Sequence, residues 1–433
     1  MVDIPVRMGE KLQLNIEDLT LQGEGIGRHK GFTLFVDGAL PGETVTAEVV
    51  SLKKKYGRAR LLDITRKTPK RKKPECSLFG LCGGCSLQHL DYRQQLLWKR
   101  TTVANALRRI AKLDTEVLPV LGMKEPWRYR NKVRFQVGEV NGRKQLGFYA
   151  TASHRLVPVQ TCHLLPEEFT RLVKCFNEFL LAGAEISQVW FRKSFFHGDV
   201  MAVVFTGTNY PPPNLETLLQ RHEKLVSIIV MDKENKELAA FGRRRLKERI
   251  GNFDFFLSPL SFFQVNPRQA GLLYETAGEY AKLTGKERVW DLYCGTGTIG
   301  LFMAKQCDFL VGVEINPAAV KDARMNARLN RITNAQFYQG KAEQLLDKLW
   351  QPGRQNVVIL DPPRQGCDRK LLNSLTRLGA ERVVYISCNP ATLARDLQIL
   401  SQKYQVKKVQ PVDMFPHTIH VECVVLLKRK HNP

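Results

Sequence analysis

From about Gly9 to Thr68 the chain is written in short runs in which apolar and polar residues alternate: LQLNIEDL, QGEGIGRHKGFTLFV, the turn LPGE, TVTAEVV and YGRARLLDI. Period-two alternation sends one face of each run inward and glycines end the runs, which predicts a small β-barrel over residues 8–68. A helix is predicted around Tyr92–Ile110. Residues 127–256 mix strand-like runs (KVRFQVGEV, QLGFYA, QVWFRKS, VMAVVFTG, LVSIIVMD) with one helical stretch near Glu167–Leu181, the pattern of an α+β domain, bounded here at 69–261. From about Phe262 the style changes. RVWDLY, FLVGVEI, AQFYQG, NVVILD, RVVYIS and VECVVLLKR are buried-strand runs with helical patterns between most of them. Such alternation predicts a doubly wound parallel sheet over 262–433, an α/β Rossmann-like domain whose ligand site lies at the carboxyl ends of its strands.

The chemistry collects at those ends. Asp291 leads into the turn Cys294-Gly-Thr-Gly-Thr298, whose glycines let backbone approach a ligand closely. Alone this is a plain strand–helix connection. Glu314, 23 residues after Asp291, ends the second strand where a carboxylate can hold ribose hydroxyls, and the pair reads as an adenosine pocket. The third strand ends in Asp361-Pro-Pro-Arg364 and the fourth in Ser387-Cys388-Asn389-Pro390. In isolation Cys388 reads as core packing; at a strand end beside the other three it reads as a reactive group over the ligand. Glu422 precedes the last strand and sets a carboxylate near the same rim.

Cys76, Cys82 and Cys85 have metal-ligand spacing, with Cys162 as a plausible fourth; four thiolates suit zinc or an iron–sulfur cluster equally on spacing. Cys175, Cys294, Cys307, Cys367 and Cys423 read as packing residues. The segment Trp127–Arg134 interleaves rings and cations, as surfaces for RNA do, and its Arg and Lys are expected at RNA.

Charge sharpens the partner. Lys and Arg number 66 against 42 Asp and Glu, a formal +24, and residues 53–73 hold eleven cations and one acid, Asp63. Such a bias attracts a polyanion, nucleic acid ahead of an anionic membrane. No apolar run is long enough to cross a membrane and the opening MVDIPVRMGE lacks the apolar run of a signal peptide, so a cytoplasmic protein is expected. Ten cysteines in such a chain are better explained as ligands, nucleophiles or packing than as disulfides.

In order, GFTLFVDGALPGE, the spacing Cys76-x5-Cys82-x2-Cys85, DLYCGTGT, LDPPR, SCNP and DMFPHTIHVE resemble the TRAM-containing RNA uracil-C5 methyltransferases over nearly the whole chain. The resemblance implies an OB-fold-like TRAM barrel, an α+β central domain and a Rossmann-like methyltransferase domain. It implies Cys388 as nucleophile and Glu422 as general base, with Gln264, Tyr293, Glu314 and Asp361 contacting S-adenosyl-L-methionine. It implies a [4Fe–4S] cluster on Cys76, Cys82, Cys85 and Cys162, zinc being the alternative. Large-subunit (23S) ribosomal RNA is the expected partner of a monomeric enzyme, and transfer RNA the alternative. Some members carry Asn in the glycine turn where this chain has Thr298. The chemistry fits these residues, because carbon 5 of uracil is a poor nucleophile until a thiolate adds at carbon 6, after which a base must remove the carbon-5 proton. A non-catalytic RNA-binding assembly factor would not need Cys388 and Glu422, and an adenine-N6 methyltransferase, which DPPR also fits, needs no cysteine after the next strand.

Overall fold

Strand β1 (Lys11–Leu19) buries Leu12, Leu14 and Ile16 and turns Lys11, Gln13 and Asn15 outward, the period-two reading made flesh. With β2 (Gly25–His29), β3 (Phe32–Val36), β4 (Thr44–Leu52) and β5 (Tyr56–Arg66) it closes a barrel in the order β1-β2-β3-β5-β4. Leu34, Val36, Val45 and Ala47 fill its interior. The LPGE turn ends in Glu43, whose carboxylate is fully buried; it accepts the Leu40 N–H at 2.9 Å and the Arg71 guanidinium at 2.6 and 2.8 Å. Burial alone would raise this carboxyl, but Arg71 and the backbone donors outweigh it and hold it below its ordinary value.

The computed structural model describes residues 4–151, 153–181 and 183–430; residues 1–3, which open the segment read for a signal peptide, lie outside the described residues. Two compact units divide the chain. The first runs to Lys99 and takes in short pieces at 150–153 and Phe415–Ile419; the second holds the remainder. Helix α1 (Tyr92–Ala106) is followed by one wider turn, Leu107–Ala111. No helix among the described residues is long and apolar enough to cross a membrane.

In the second unit β6 (Lys132–Val140), β7 (Arg143–Tyr149), β8 (Leu156–Pro158), β9 (Ile186–Lys193), β10 (Val200–Thr206), β11 (Leu225–Met231) and β12 (Glu237–Gly242) form a sheet in the order β12-β11-β10-β9-β6-β7-β8. Helix α2 (Glu167–Leu181) covers one face, stacking Phe169 and Phe176 on Phe191 of β9. A short helix α3 (Thr217–Arg221) and a hairpin, β13 (Leu246–Ile250) with β14 (Phe253–Leu257), follow.

The last sheet has the order β17-β16-β15-β18-β19-β21-β20, from β15 (Arg288–Leu292), β16 (Phe309–Glu314), β17 (Ala335–Gln339), β18 (Asn356–Leu360), β19 (Arg382–Ser387), β20 (Tyr404–Val412) and β21 (Glu422–Arg429). It departs from the expected all-parallel sheet: pairing is parallel from β17 to β19, and β21 and β20 finish it antiparallel. β20 escapes pattern reading because Lys407 and Lys408 interrupt its alternation and a bulge sits between Val406 and Lys408. Helices α4 (Pro267–Ala281), α5 (Thr298–Met303), α6 (Pro317–Leu329), α7 (Ala342–Leu349), α8 (Arg369–Leu378) and α9 (Pro390–Leu400) connect and cover the strands. The order reverses between β15 and β18, and a crevice opens at such a switch point.

Glu43→Ala leaves the Arg71 guanidinium without its buried partner, so denaturant unfolding of the full chain should report a loss of about 3–5 kcal/mol in the barrel transition. A depressed carboxyl contributes stability above its unfolded value and loses it as pH falls through the folded one. The gap between wild type and variant should therefore narrow in acid below the ordinary Glu range; a gap under 1 kcal/mol at neutral pH, or one that widens in acid, contradicts this role.

Candidate active site

β15 carries Asp291 to the switch point, where its fully buried carboxylate accepts the Gly300 N–H at 2.8 Å through Oδ2. Only glycine fits there, since a Cβ at Gly300 would lie 2.7 Å from Asp291 Oδ2. The other oxygen, Oδ1, is buried with no hydrogen-bond partner. Burial, then the nearby Asp361 and Glu314 carboxylates, push Asp291 up to about 7 against the pull of the Gly300 donor. Beside it the turn runs through left-handed backbone at Tyr293, Gly295 and Gly297, and a Cβ built on Gly295 meets open space. Glu314, at the end of β16, takes the Gly295 N–H at 3.1 Å on one oxygen and the Asn316 N–H at 2.8 Å on the other. A carboxylate has about four acceptor positions, so both oxygens can still receive ribose hydroxyls. An orphaned acceptor, an open glycine turn and a half-satisfied carboxylate fit a nucleoside cofactor.

The nucleophile and base expected from sequence come together through register. β19 and β21 pair as far as Ser387 opposite Cys423, the neighbours of Cys388 and Glu422, and the Glu422 charge acts on the Cys388 thiol. Glu422 is 6% exposed. Burial first, then the Asp361 carboxylate, push it up to about 8, with Arg364 acting in the opposite sense. Burial alone lifts Asp361 to about 7. Cys388 is half-buried; burial and the Glu422 and Asp361 charges push its thiol up to about 11, while Arg364 lowers it. Asn389 caps α9 and donates through Nδ2 to the Arg364 carbonyl at 3.2 Å, and Thr392 Oγ1 donates to the same carbonyl at 3.2 Å. The DPPR and SCNP loops are thus one structure.

Tyr274 of α4 was not legible in the sequence, where it occupies an ordinary core position of an amphipathic helix. Its hydroxyl bonds to Thr298 Oγ1 at 3.3 Å; burial and the charges of Asp361, Asp291 and Glu422 push it far above the ordinary phenol. Gln264 is buried just ahead of α4, with its carbonyl accepting Asn131 Nδ2 at 3.3 Å. Asn266 and Gln269 then reach the carbonyls of Met414 and Asp413 at 3.1 Å each, fixing the start of α4 to the loop that leads toward Glu422. Tyr293 stands apart from the acidic group, with its hydroxyl toward Cys367 and the Asp368 backbone.

Cys76 and Cys82 share one loop of the first unit with Cys85, and the Cys82 thiol is raised by burial and by Cys76. Cys162 belongs to the second unit. Among the described residues no group of three or more His, Cys, Asp or Glu side chains is placed to hold a metal ion. Cys294, Cys307, Cys367 and Cys423 are buried as packing residues should be, whereas Cys175 is half-buried with Sγ 3.1 Å from His222 Nε2. The Trp127–Arg134 segment divides its labour: Tyr129 is core at 2% exposure, Arg128 pairs with Glu167 at 2.8 Å, and Lys132 and Arg134 lie 5.0 and 4.0 Å from the Trp190 ring.

A family model described as tRNA (uracil-5-)-methyltransferase matches residues 91–430, and a TRAM domain model matches residues 5–62. An uncharacterized RNA methyltransferase of Clostridium tetani is 40% identical, with 98% of each chain covered. One from Caldanaerobacter subterraneus subsp. tengcongensis is 42% identical over 98% of this chain and 99% of its own. The crystal structure of Pyrococcus abyssi tRNA (uracil-54, C5)-methyltransferase in complex with S-adenosyl-L-homocysteine superposes with a TM-score of 0.79 at 27% identity, covering 96% of this chain and all of that one.

Because the Glu422 charge helps keep the Cys388 thiol protonated, Glu422→Gln should make that thiol more acidic. Alkylation of Cys388 by iodoacetamide, followed by peptide mass spectrometry across pH 6–10, should shift its midpoint downward in the variant, by on the order of tenfold in rate per unit at a fixed pH. A midpoint that stays put or moves upward would separate Cys388 from Glu422.

Proposed function

The chain belongs to the tRNA (uracil-5-)-methyltransferase family, and from that premise we propose that it methylates carbon 5 of a uracil in RNA through a covalent bond between Cys388 and carbon 6. The observation that supports this reading is the ladder that ends at Ser387 opposite Cys423, next to Cys388 and Glu422, with the charges of Glu422, Asp361 and Arg364 all acting on the Cys388 thiol. S-adenosylmethionine, when bound, supplies an electrophilic methyl group and a positive charge. Glu314 and the glycine turn would hold its adenosine, with Asp291, Asp361 and Gln264 beside them; Tyr293, whose hydroxyl turns toward Cys367, could contribute its backbone or ring face from the turn itself.

Cys388 must first lose its proton. Burial and the Glu422 charge hold that proton on the sulfur, so the thiolate needs stabilisation from its surroundings. Arg364 and the amino end of α9, which begins two residues after Cys388, both favour the thiolate. The sulfur adds to carbon 6, the ring electrons move to carbon 5, and carbon 5 takes the methyl group. Glu422 then removes the carbon-5 proton, and the electrons of that C–H bond restore the ring as the carbon–sulfur bond breaks. A carboxyl raised toward neutrality is suited to that task. The uracil must leave any stack to reach this pocket.

We assign large-subunit ribosomal RNA as the substrate, acted on in the cytoplasm by a monomer; the support is a complete barrel joined to a cysteine cluster in one chain. Transfer RNA is the second reading, favoured by the full-length likeness to the Pyrococcus abyssi enzyme. Cys76, Cys82, Cys85 and Cys162 are assigned to a [4Fe–4S] cluster on their spacing and family resemblance, with zinc as the alternative, and no step of the reaction passes through it.

RNA carrying 5-fluorouracil at the target should be methylated once and then stall, because fluorine cannot leave as a cation, giving a protein–RNA adduct that survives denaturing electrophoresis. Cys388→Ala should give neither adduct nor product; Glu422→Gln should accumulate adduct on ordinary RNA. Turnover by Cys388→Ala would refute the nucleophile. Mapping 5-methyluridine in ribosomal and transfer RNA with and without the gene decides between the two substrates.

The cluster has its own check. Anaerobically purified protein should be brown with about four irons per chain, and Cys82→Ser should bleach it; a colourless, zinc-loaded, active enzyme would exclude the iron assignment.

A further inference from the structure

Glu248 on β13 is fully buried, yet it answers backbone rather than a cation. Its carboxylate accepts the N–H groups of Phe195 at 2.7 Å, Phe196 at 3.0 Å and Arg249 at 3.0 Å, and the Ser194 hydroxyl at 3.2 Å. Burying a carboxylate is costly unless hydrogen bonds compensate it. Here four of them do, and three come from the turn between β9 and β10. Ser194 locks the same turn from within, taking the His197 N–H at 3.1 Å on its hydroxyl and the Gly198 N–H at 2.9 Å on its carbonyl.

What this fixed turn holds out is Phe196, 56% exposed. A lone exposed phenylalanine needs no explanation; one on a turn held by a buried carboxylate, with its ring braced, does. The Arg249 guanidinium carbon lies 4.3 Å from the Phe196 ring centroid, and His197 meets the ring edge-on at 4.9 Å. Arg249 is itself held flat by a two-pronged pair with Asp254, at 2.7 and 3.1 Å. Asp254 is fixed in turn by Asn330, which accepts its N–H at 2.9 Å and donates to its carbonyl at 2.6 Å. A ring backed by a guanidinium, and still more than half in solvent, offers a planar cationic stacking surface.

Its place in the unit is informative. The Lys193 N–H at the root of the turn donates to the Asn131 carbonyl at 2.8 Å, and Asn131 is the residue that bonds the Gln264 and Val265 carbonyls. The turn therefore leaves the sheet at the end that anchors the Gln264 segment. Asp199, closing the turn, pairs with Arg243 at 2.5 Å, the first of three consecutive exposed arginines, Arg243–Arg245.

The geometry points to Phe196, braced by Arg249, as a stacking platform for an unpaired nucleobase near the target uracil, with the exposed Arg243 and Arg244 exchanging their pairs with Asp199 and Glu237 for the adjoining phosphates. This rests on the RNA methyltransferase reading above. A protein partner would meet the same ring, but three arginines at the turn and a chain carrying +24 favour a polyanion. Stacking on a ring is tolerant of base identity, so the platform would hold the strand and leave the choice of uracil to the catalytic pocket.

The test uses the full-length protein and fluorescently labelled oligouridine, with a second probe carrying 2-aminopurine. Phe196→Ala and Phe196→Leu should each weaken RNA binding about tenfold, equivalent to about 1.4 kcal/mol. Phe196→Trp should bind at least as well as wild type. The 2-aminopurine fluorescence quenched by wild type and by the tryptophan variant should stay bright with the other two. Phe196→Ala should leave the salt dependence unchanged because no phosphate contact is lost, whereas Arg243→Ala with Arg244→Ala should reduce the slope of log affinity against log salt by up to about two. S-adenosylhomocysteine binding should be the same in all variants. Wild-type RNA affinity and quenching in both Phe196→Ala and Phe196→Leu would overturn the platform, as would loss of a protein contact with RNA binding intact. Failure of wild type to form the fluorouracil adduct would instead overturn the enzymatic reading, so the two failures are distinct.

Discussion

Three carboxylates, those of Asp291, Asp361 and Glu422, are buried at the ends of strands of one sheet; burial raises all three, and the Asp361 charge raises Asp291 and Glu422 further. Like charges that close in a low-dielectric site cannot all be ionised at once. The ligand-free protein therefore holds protons there near neutral pH, and it holds one on Cys388 as well. A cation entering this crevice would add to the positive charge that Arg364 already supplies. Any cation bound there would lower the carboxyls and the thiol together.

Holding such a set together takes a scaffold that does not yield. The strand ends are positioned by a parallel sheet buried on both faces, where Trp290, Leu292, Val358, Leu360, Val383 and Tyr385 pack into one core. The loops beyond the strands are cross-tied: Asn389 and Thr392 to the Arg364 carbonyl, Asn266 to Met414, Gln269 to Asp413. Asp396, buried inside α9, receives the Cys367 N–H and the Tyr385 hydroxyl and pairs with Arg395, fastening the same loops from beneath. Polar groups placed this way orient the reacting side chains before any ligand arrives.

Much of this was legible in the sequence, and the reasons differ by residue. Asp291, Glu314 and Asp361 each follow a run of apolar residues too regular to be anything but a buried strand, so their positions at the carboxyl rim follow from the α/β alternation. Cys388 was legible for the same cause, from place rather than residue type. Glu422 was harder, because it begins a strand; only the antiparallel direction of β21 brings a first residue to that rim. Arg364 was visible as part of a motif, but its influence on both Cys388 and Glu422 needs three dimensions. Tyr274 was hidden, since a tyrosine on the inward stripe of a helix looks like packing. The Phe196 turn left no trace either, because its support is a glutamate more than fifty residues away in β13.

The order of the last sheet carries one more consequence. β21 lies between β19 and β20, both of which precede it in the chain, and it pairs with each of them. Until β21 is inserted, the strand that leads to Cys388 shows a bare edge. Glu422 is the first residue of the strand that closes that gap. Forming the β19–β21 ladder and delivering Glu422 to the rim that carries Cys388 are therefore one event, and whatever frays that edge of the sheet also withdraws the carboxylate.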